Sequence, residues 1–181
     1  MGRPVLKTKL CDMLSIEYPI LSAGMGPSLV GERTGATVEL VVAVSEAGGL
    51  GVLGAAGYTV DEMQAAIREI KKQTDKPFGV DILLPAQTVS AGDQVIEGPQ
   101  EIPLSDVLKT LPKAHYDWLM KVKEDMNLPD IDVMIKLGST TSQPHAAIKV
   151  IIEEKVPLCC CGLGNPGFMV ADAHDAGIKV L

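Results

Sequence analysis

Gly24 and Gly26 flank Met25 in a turn that directly follows an apolar run beginning at Tyr18. Glycine carries no side chain, so such a turn lets the backbone approach a bound molecule closely and offer it amide N–H groups. The same pattern occurs where a strand simply ends in a glycine-rich turn. Both explanations stay open on these residues alone.

Asp81 is a second candidate, because it lies between Val80 and Ile82 in the apolar segment 78–84. Core packing does not explain a carboxylate there, since a buried charge requires a partner. An ionised carboxylate accepts hydrogen bonds and cannot donate them. Asp81 is therefore either an acceptor for a ligand or a solvated or helix-capping acid.

Three of the four cysteines, Cys159, Cys160 and Cys161, are consecutive within an apolar segment. Disulfide frameworks and zinc sites space their cysteines differently, so we predict reduced thiols and no metal site. A reactive thiol requires a positive neighbour or a helix N-terminus, and no cation is close in sequence. We predict that Cys160 is a packing residue.

No catalytic residue is assigned, although histidine is the usual proton acceptor at neutral pH. His115 lies in a polar region, His145 at a helix start and His174 on a helix expected to face outward. The segment 138–142, Gly-Ser-Thr-Thr-Ser, precedes a helix. It predicts a helix cap, with anion binding as the alternative.

The elements that position these residues repeat in the order strand, glycine-rich turn, helix. Short apolar runs alternate with segments of helical periodicity that carry capping residues. The predicted strands are 18–23, 50–54, 78–84, 157–161 and 178–181, and the predicted helices are 38–47, 59–74, 143–154 and 166–176.

The stretch between the third and fourth strands departs from this repeat. We predict a long loop over 85–103, a helical region over 104–126 that Pro112 interrupts, and either a short strand or a loop over 131–135. Residues 85–130 are interpreted as an insertion within one domain that spans 1–181.

Composition and charge exclude several classes of function. A hydrophobic content of 46% predicts a globular protein, and a net charge of -7 argues against a nucleic-acid partner. The chain has no run of about 18 apolar residues, and its N-terminus lacks the apolar region of a signal peptide. We predict a cytoplasmic protein with no membrane partner.

Alternating strands and helices with short connections predict a parallel sheet. Five strands fit either a doubly wound open sheet or most of a (β/α)8 barrel, which takes about 250 residues to complete. Periodicity does not separate these two α/β architectures.

Local motifs separate them. They are Tyr18-Pro19-Ile20 leading to Ala23-Gly24-Met25-Gly26, then 45–51 (Ser-Glu-Ala-Gly-Gly-Leu-Gly), 76–81 (Lys-Pro-Phe-Gly-Val-Asp), 162–166 (Gly-Leu-Gly-Asn-Pro) and 173–180 (Ala-His to Lys-Val). Over about residues 10–84 and 143–181, the chain resembles the nitronate monooxygenases, also called 2-nitropropane dioxygenases. FMN-dependent enoyl-acyl-carrier-protein reductases are similar and share the barrel.

The resemblance implies a partial (β/α)8 TIM barrel, the N-terminal part of a longer one, with about five of the eight strands. It implies FMN at the C-terminal mouth, with Gly24, Met25 and Gly26 as flavin contacts. Asp81, where the family commonly has Asn, would accept from the flavin N3–H. The family's phosphate site and a later His lie beyond Leu181.

The implied activity is the oxidation of alkyl nitronates, a small-molecule substrate, with oxygen through a flavin. One branch of the family carries a His two residues before the Gly that ends the fourth strand, and Cys160 takes that place here if Gly162 is that Gly. The other branch and the reductases have a turn like 162–166.

Two other functions are alternatives to nitronate oxidation. They are an enoyl-reductase-like NAD(P)H oxidoreductase and a non-catalytic truncated remnant. Two unpaired sheet edges also leave homo-oligomers open.

Overall fold

Four parallel strands form the main sheet in the computed structural model, which describes residues 6–27, 35–95, 101–130 and 133–181. The strands in chain order are β1 (Gly51–Gly54), β2 (Phe78–Leu83), β3 (Glu101–Pro103), β4 (Met134–Lys136), β5 (Leu158–Gly162) and β6 (Lys179–Val180). The main sheet has the order β1-β2-β5-β6, and β3 pairs with β4 alone. Neighbours in the main sheet thus follow chain order, as in a barrel and unlike a doubly wound sheet.

A segment before β1 extends the sheet by one short pairing. Leu21 forms a parallel bridge with Leu50, and the amide of Ser22 donates to the carbonyl of Leu50 at 3.0 Å. The expected strand over 18–23 is therefore reduced to this bridge. Pro19 has no N–H to donate, which limits ladder pairing on its side.

Helices connect the strands of the main sheet. In chain order they are α1 (Lys9–Leu14), α2 (Val38–Glu46), α3 (Val60–Gln73), α4 (Ala86–Ala91), α5 (Leu104–Lys109), α6 (Lys113–Asp125), α7 (Pro144–Glu153) and α8 (Val170–Asp175), the last preceded by a 3-10 turn at Pro166–Phe168. The predicted helices over 38–47, 59–74 and 143–154 are confirmed to within a residue or two. No described helix is long and apolar enough to cross a membrane.

Alternate strand residues face two separate apolar clusters, because successive side chains of a strand point to opposite faces. Leu53, Val80 and Cys159 pack with α2, α3 and α7 in the larger cluster. Val52 and Leu158 lie in a smaller cluster with residues of α1 on the other face. The sheet is thus covered by helices outside and lined by a second layer inside, which is the arrangement of a (β/α)8 barrel wall.

The chain between β2 and β5 contains more structure than its sequence predicts. α4 occupies part of the expected loop over 85–103, and β3 and β4 form an antiparallel pair. The helical region breaks into α5 and α6 before Pro112, as expected, because proline caps a helix start but cannot continue a helix. No described residue of α5 or α6 is buried.

Two predictions concern residues that the structure does not describe. They are the absence of a signal peptide, which rests in part on residues 1–5, and the possible strand over 131–135, of which residues 131 and 132 are not described.

Candidate functional site

The turn at 24–27 lies directly on the carboxyl end of β1. A Cβ added at Gly26 would lie 2.3 Å from the carbonyl oxygen of Gly54, and one added at Gly54 would lie 2.1 Å from the amide nitrogen of Gly26. Neither position has room for a side chain. The glycines therefore allow two backbones to touch at the mouth of the sheet.

Gly24, in the same turn, contacts the side chain of Asp81 on β2. A Cβ added at Gly24 would lie 2.4 Å from the Cβ and 2.6 Å from Oδ2 of Asp81. Two of the residues predicted from sequence are therefore in direct contact. Met25, the next residue of the turn, has 65% of its surface exposed.

Asp81 lies on the inner face of β2, where it pairs with Gly54 of β1 and with Cys160 of β5. Its backbone carbonyl accepts from the amide of Ala55 at 2.8 Å. No described residue donates a hydrogen bond to its carboxylate or forms an ion pair with it. Burial raises the pKa of this carboxyl above its usual value, because a low-dielectric surrounding disfavours the charged form.

Cys160 is the inner-face neighbour of Asp81 on β5, whereas Cys159 and Cys161 point to the outer face. Burial, together with the nearby Asp81 charge, raises the pKa of the Cys160 thiol to about 12. A thiol with this pKa is protonated at neutral pH and is a poor nucleophile. This agrees with the prediction that Cys160 is a packing residue.

The loop 138–142 packs against the turn that follows β1. The hydroxyl of the buried Thr140 donates to the carbonyl of Ala55 at 2.7 Å, and that of Thr141 donates to the carbonyl of Ala56 at 3.0 Å. This loop borders a cleft of about 290 Å³ at the carboxyl end of the sheet. The cleft is lined by Pro27, Ala56, Gly57, Leu83, Thr88, Gln94, Ser139, Thr141 and Ser142.

The N-terminus of α7 is capped by a residue that the sequence did not indicate. The Asp93 carboxylate accepts from the amides of His145 and Ala146, each at 2.8 Å. The expected local cap from 138–142 is therefore wrong, and the alternative anion site is already filled by Asp93. Only a contact between residues 52 positions apart supplies this cap, so no local pattern could have predicted it.

Comparisons with known proteins agree on one family. The sequence profile of the nitronate monooxygenase family matches residues 7–181. The chain belongs to the nitronate monooxygenase family. This confirms the resemblance and places the chain in a family of oxidoreductase enzymes.

Individual relatives are longer than this member of the family. A probable nitronate monooxygenase of Staphylococcus haemolyticus (strain JCSC1435) is 31% identical over 159 residues, which make up 87% of this chain and 37% of the relative. One from Staphylococcus aureus (strain MSSA476) is 29% identical over 176 residues, or 97% of this chain and 42% of the relative. The chain spans about two fifths of the length of these curated relatives.

Solved structures confirm the fold of this nitronate monooxygenase family member. FabK from Thermotoga maritima superposes with a TM-score of 0.59 at 29% identity, over 97% of this chain and 36% of that one. A nitroalkane oxidase from Streptomyces ansochromogenes, which is 24% identical, superposes with a TM-score of 0.62 over 96% of this chain and 41% of that one. The predicted partial (β/α)8 TIM barrel is thereby confirmed.

The three histidines of this family member have surroundings that differ from that of Asp81. His115 is exposed on α6 and His174 is exposed on α8. His145 contacts Asp93 and packs its ring 5.4 Å from that of Phe168 on the outer side. The structure therefore brings together Gly24, Gly26, Asp81 and Cys160, and no described histidine forms a hydrogen bond or ion pair with Asp81 or Cys160.

Proposed function

We propose that this chain forms the flavin-ring side of the site of an FMN-dependent oxidoreductase that oxidises alkyl nitronates with oxygen. The proposal rests mainly on the Asp81 carboxylate, which faces the inside of the sheet at its carboxyl end with no partner among the described residues. A half-buried acceptor without a donor indicates a place where a ligand supplies the donor.

The residues at the mouth are compatible with a flavin ring. The ring has an N–H that can donate a hydrogen bond to the Asp81 carboxylate, and it has oxygens that can accept from the amides of Gly24 and Gly26. The Met25 amide already donates to the carbonyl of Ala23 at 3.0 Å. We therefore propose Gly24, Met25, Gly26 and Asp81 as the flavin-binding residues. When bound, FMN supplies the electron transfer from the substrate to oxygen.

The residues of this chain have binding and positioning roles in this proposal. Asp81 orients the ring by accepting one hydrogen bond, while Gly24 and Gly26 leave space for close approach. Cys160 retains its proton at neutral pH, because its pKa is about 12, and so does not act as a base. The exposed Met25 shields the ring from water on the side of the turn.

An NAD(P)H oxidoreductase resembling the flavin-dependent enoyl reductases is the second candidate. Cys160 favours it, because Cys160 replaces the His that one branch of the family uses beside the ring. The turn 162–166 favours it too. This turn packs tightly on the residue that follows β2, since a Cβ added at Gly164 would lie 1.8 Å from the carbonyl oxygen of Leu84.

Titration with two flavins tests the binding proposal on the 181-residue polypeptide. We expect affinity for FMN weaker than about 1 μM, roughly -8 kcal/mol, because the family's phosphate site lies in loops after strands seven and eight. Lumiflavin, which has the ring without the phosphate, should bind about as well as FMN.

Variants of Asp81 test which residue holds the ring. Asp81→Asn should retain ring binding, and Asp81→Ala should weaken the binding of both flavins. Equal binding by wild type and Asp81→Ala would contradict the site.

Anaerobic reduction of the bound flavin then separates the candidate functions. Bleaching by an alkyl nitronate and not by NADH supports nitronate oxidation. The reverse result supports the reductase. If neither bleaches a flavin that has bound at the Asp81-dependent site, the 181-residue polypeptide binds flavin without catalysing either reaction.

A further inference from the structure

Two cysteine sulfurs contact each other on the outer face of β5. Cys159 and Cys161 are two residues apart in the strand, so their side chains project to the same face. Their Sγ atoms are 3.6 Å apart. Cys160 projects to the opposite face beside Asp81.

The two thiols differ in accessibility. Cys159 is fully buried in the cluster between the sheet and the helices. Cys161 is partly exposed and packs at the margin of the same cluster. A reagent from solvent therefore reaches Cys161 before it reaches Cys159.

The hydrogen bond between the thiols also makes them electronically different. Donation from Cys159 holds the pKa of Cys161 below its usual range. The same bond, together with burial, raises the pKa of Cys159. The thiolate is the reactive form of cysteine, so Cys161 is the more reactive of the two.

The strand spacing permits a bond between them. Two residues along a parallel strand span about 6.6 Å, and disulfide-linked Cα atoms are usually about 4.4 to 6.8 Å apart. A link between Cys159 and Cys161 meets the Cα limit, but β5 must bend locally to bring the two Cβ atoms to the distance of about 3.5 to 4.5 Å that a disulfide requires. Such a bond is strained and readily reduced.

We propose that Cys159 and Cys161 form a peroxide-reactive dithiol, with Cys161 as the attacking thiol and Cys159 as the resolving thiol. The Cys161 thiolate attacks one oxygen of hydrogen peroxide, the O–O bond breaks, and hydroxide leaves as the S–O bond of a sulfenic acid forms. Cys159 then attacks the Cys161 sulfur, the S–O bond breaks and the S–S bond forms. The proton of Cys159 leaves with the oxygen as water. Two thiols are oxidised and one peroxide is reduced to two waters.

Mass spectrometry of peroxide-treated protein tests this proposal. The protein is treated with hydrogen peroxide, alkylated and digested with trypsin, which places all three cysteines in one peptide, 156–179, and Cys11 in another. Dimedone, which traps sulfenic acids, is added in a parallel sample. The variants are Cys160→Ser, Cys159→Ser and Cys161→Ser, and Cys11 is the internal control.

We expect wild type and Cys160→Ser to lose two hydrogens from the peptide 156–179, with reversal by dithiothreitol. Cys159→Ser should give a dimedone adduct at residue 161, and Cys161→Ser should lose the reaction. Retention of all alkylatable thiols in wild type, at doses that oxidise glutathione, would overturn the proposal. A link that forms in wild type and disappears in Cys160→Ser would also overturn it. Wild type and Cys160→Ser decide the outcome even if the buried Cys159 variant fails to fold.

Discussion

Gly24, Gly26 and Gly54 are glycines for a reason that lies within the chain. The sequence motifs indicate close approach of a bound ring as the reason for the first two. The structure adds that side chains at these positions would collide with Asp81 or with the backbone of the opposite turn. Packing of the turn on β1 and β2 therefore requires these glycines even before any ligand binds.

Gly24→Ala should destabilise the protein in the absence of flavin. The new Cβ would lie 2.4 Å from the Asp81 Cβ, and overpacking of this kind costs about 1 to 3 kcal/mol. Gly79→Ala is the matched control, because its Cβ would have its nearest neighbour at 3.3 Å. Urea unfolding of both variants measures the difference. If Gly24→Ala unfolds with a free energy no lower than that of Gly79→Ala, the turn yields as easily as a strand position with a nearest contact of 3.3 Å, and the close packing argued here is wrong.

Asp81→Asn should make stability less dependent on pH. The folded-state pKa of Asp81 is raised by burial, so the protonated acid is favoured in the folded protein. Its contribution is fully present below the unfolded pKa of about 3.9 and is lost as pH rises through the folded pKa. Wild type should therefore lose stability relative to Asp81→Asn as pH increases from about 4. Urea unfolding of both proteins from acidic to neutral pH measures this, and parallel curves would contradict the burial of the charge.

Helices α3 and α7 show which elements the sequence predicts well. α3 begins with a local capping box in which Thr59 and Glu62 bond to each other's amides, and this pattern is visible in four residues. α7 takes its cap from Asp93 across the long connection. Local patterns predicted most helices and most strands, but not the short helices α1 and α4, and not the distant contacts that fix the ends of elements.

Asp93→Ala should destabilise α7. Loss of a carboxylate cap costs about 1 kcal/mol, because the amides of His145 and Ala146 then lose their acceptor. Asp125→Ala is a suitable control, since Asp125 makes only an exposed ion pair with Lys121. An ion pair of this kind stabilises a helix by about 0.3 to 0.5 kcal/mol. Thermal unfolding with circular dichroism compares the two. A smaller effect for Asp93→Ala than for Asp125→Ala would refute the capping role.

At the scale of the whole molecule, the order of the strands is the informative feature. Periodicity predicted a parallel sheet but left two architectures, and only the family motifs favoured the barrel. The observed order β1-β2-β5-β6 agrees with them. The alternation of β2 explains the inner position of Asp81, but the sequence analysis left its surroundings open, and its contact with Gly24 required the folded turn.

We propose that the β3–β4 pair and the helices between them are an insertion that the sheet does not require. Replacing residues 101–136 with a short Gly-Ser turn should change the free energy of unfolding by less than about 1 kcal/mol, because loop length has only a logarithmic effect on stability. A longer deletion that also removes Asp93 and Gln94 is the control and should be destabilising. Loss of folding in the shorter deletion would show that the sheet depends on this region.

The β3–β4 pair also bears on how fast the sheet assembles. β2 and β5 are neighbours, yet about three times as many residues separate them as separate β1 from β2, which adds about 1 kcal/mol to the entropy of bringing them together. Antiparallel pairing brings Pro103 next to Met134, although helices α5 and α6 lie between them. When this pair forms first, the residues it encloses no longer count toward the connection that must close before β5 meets β2. The region that lengthens the chain most thus also supplies the contact that shortens its effective length.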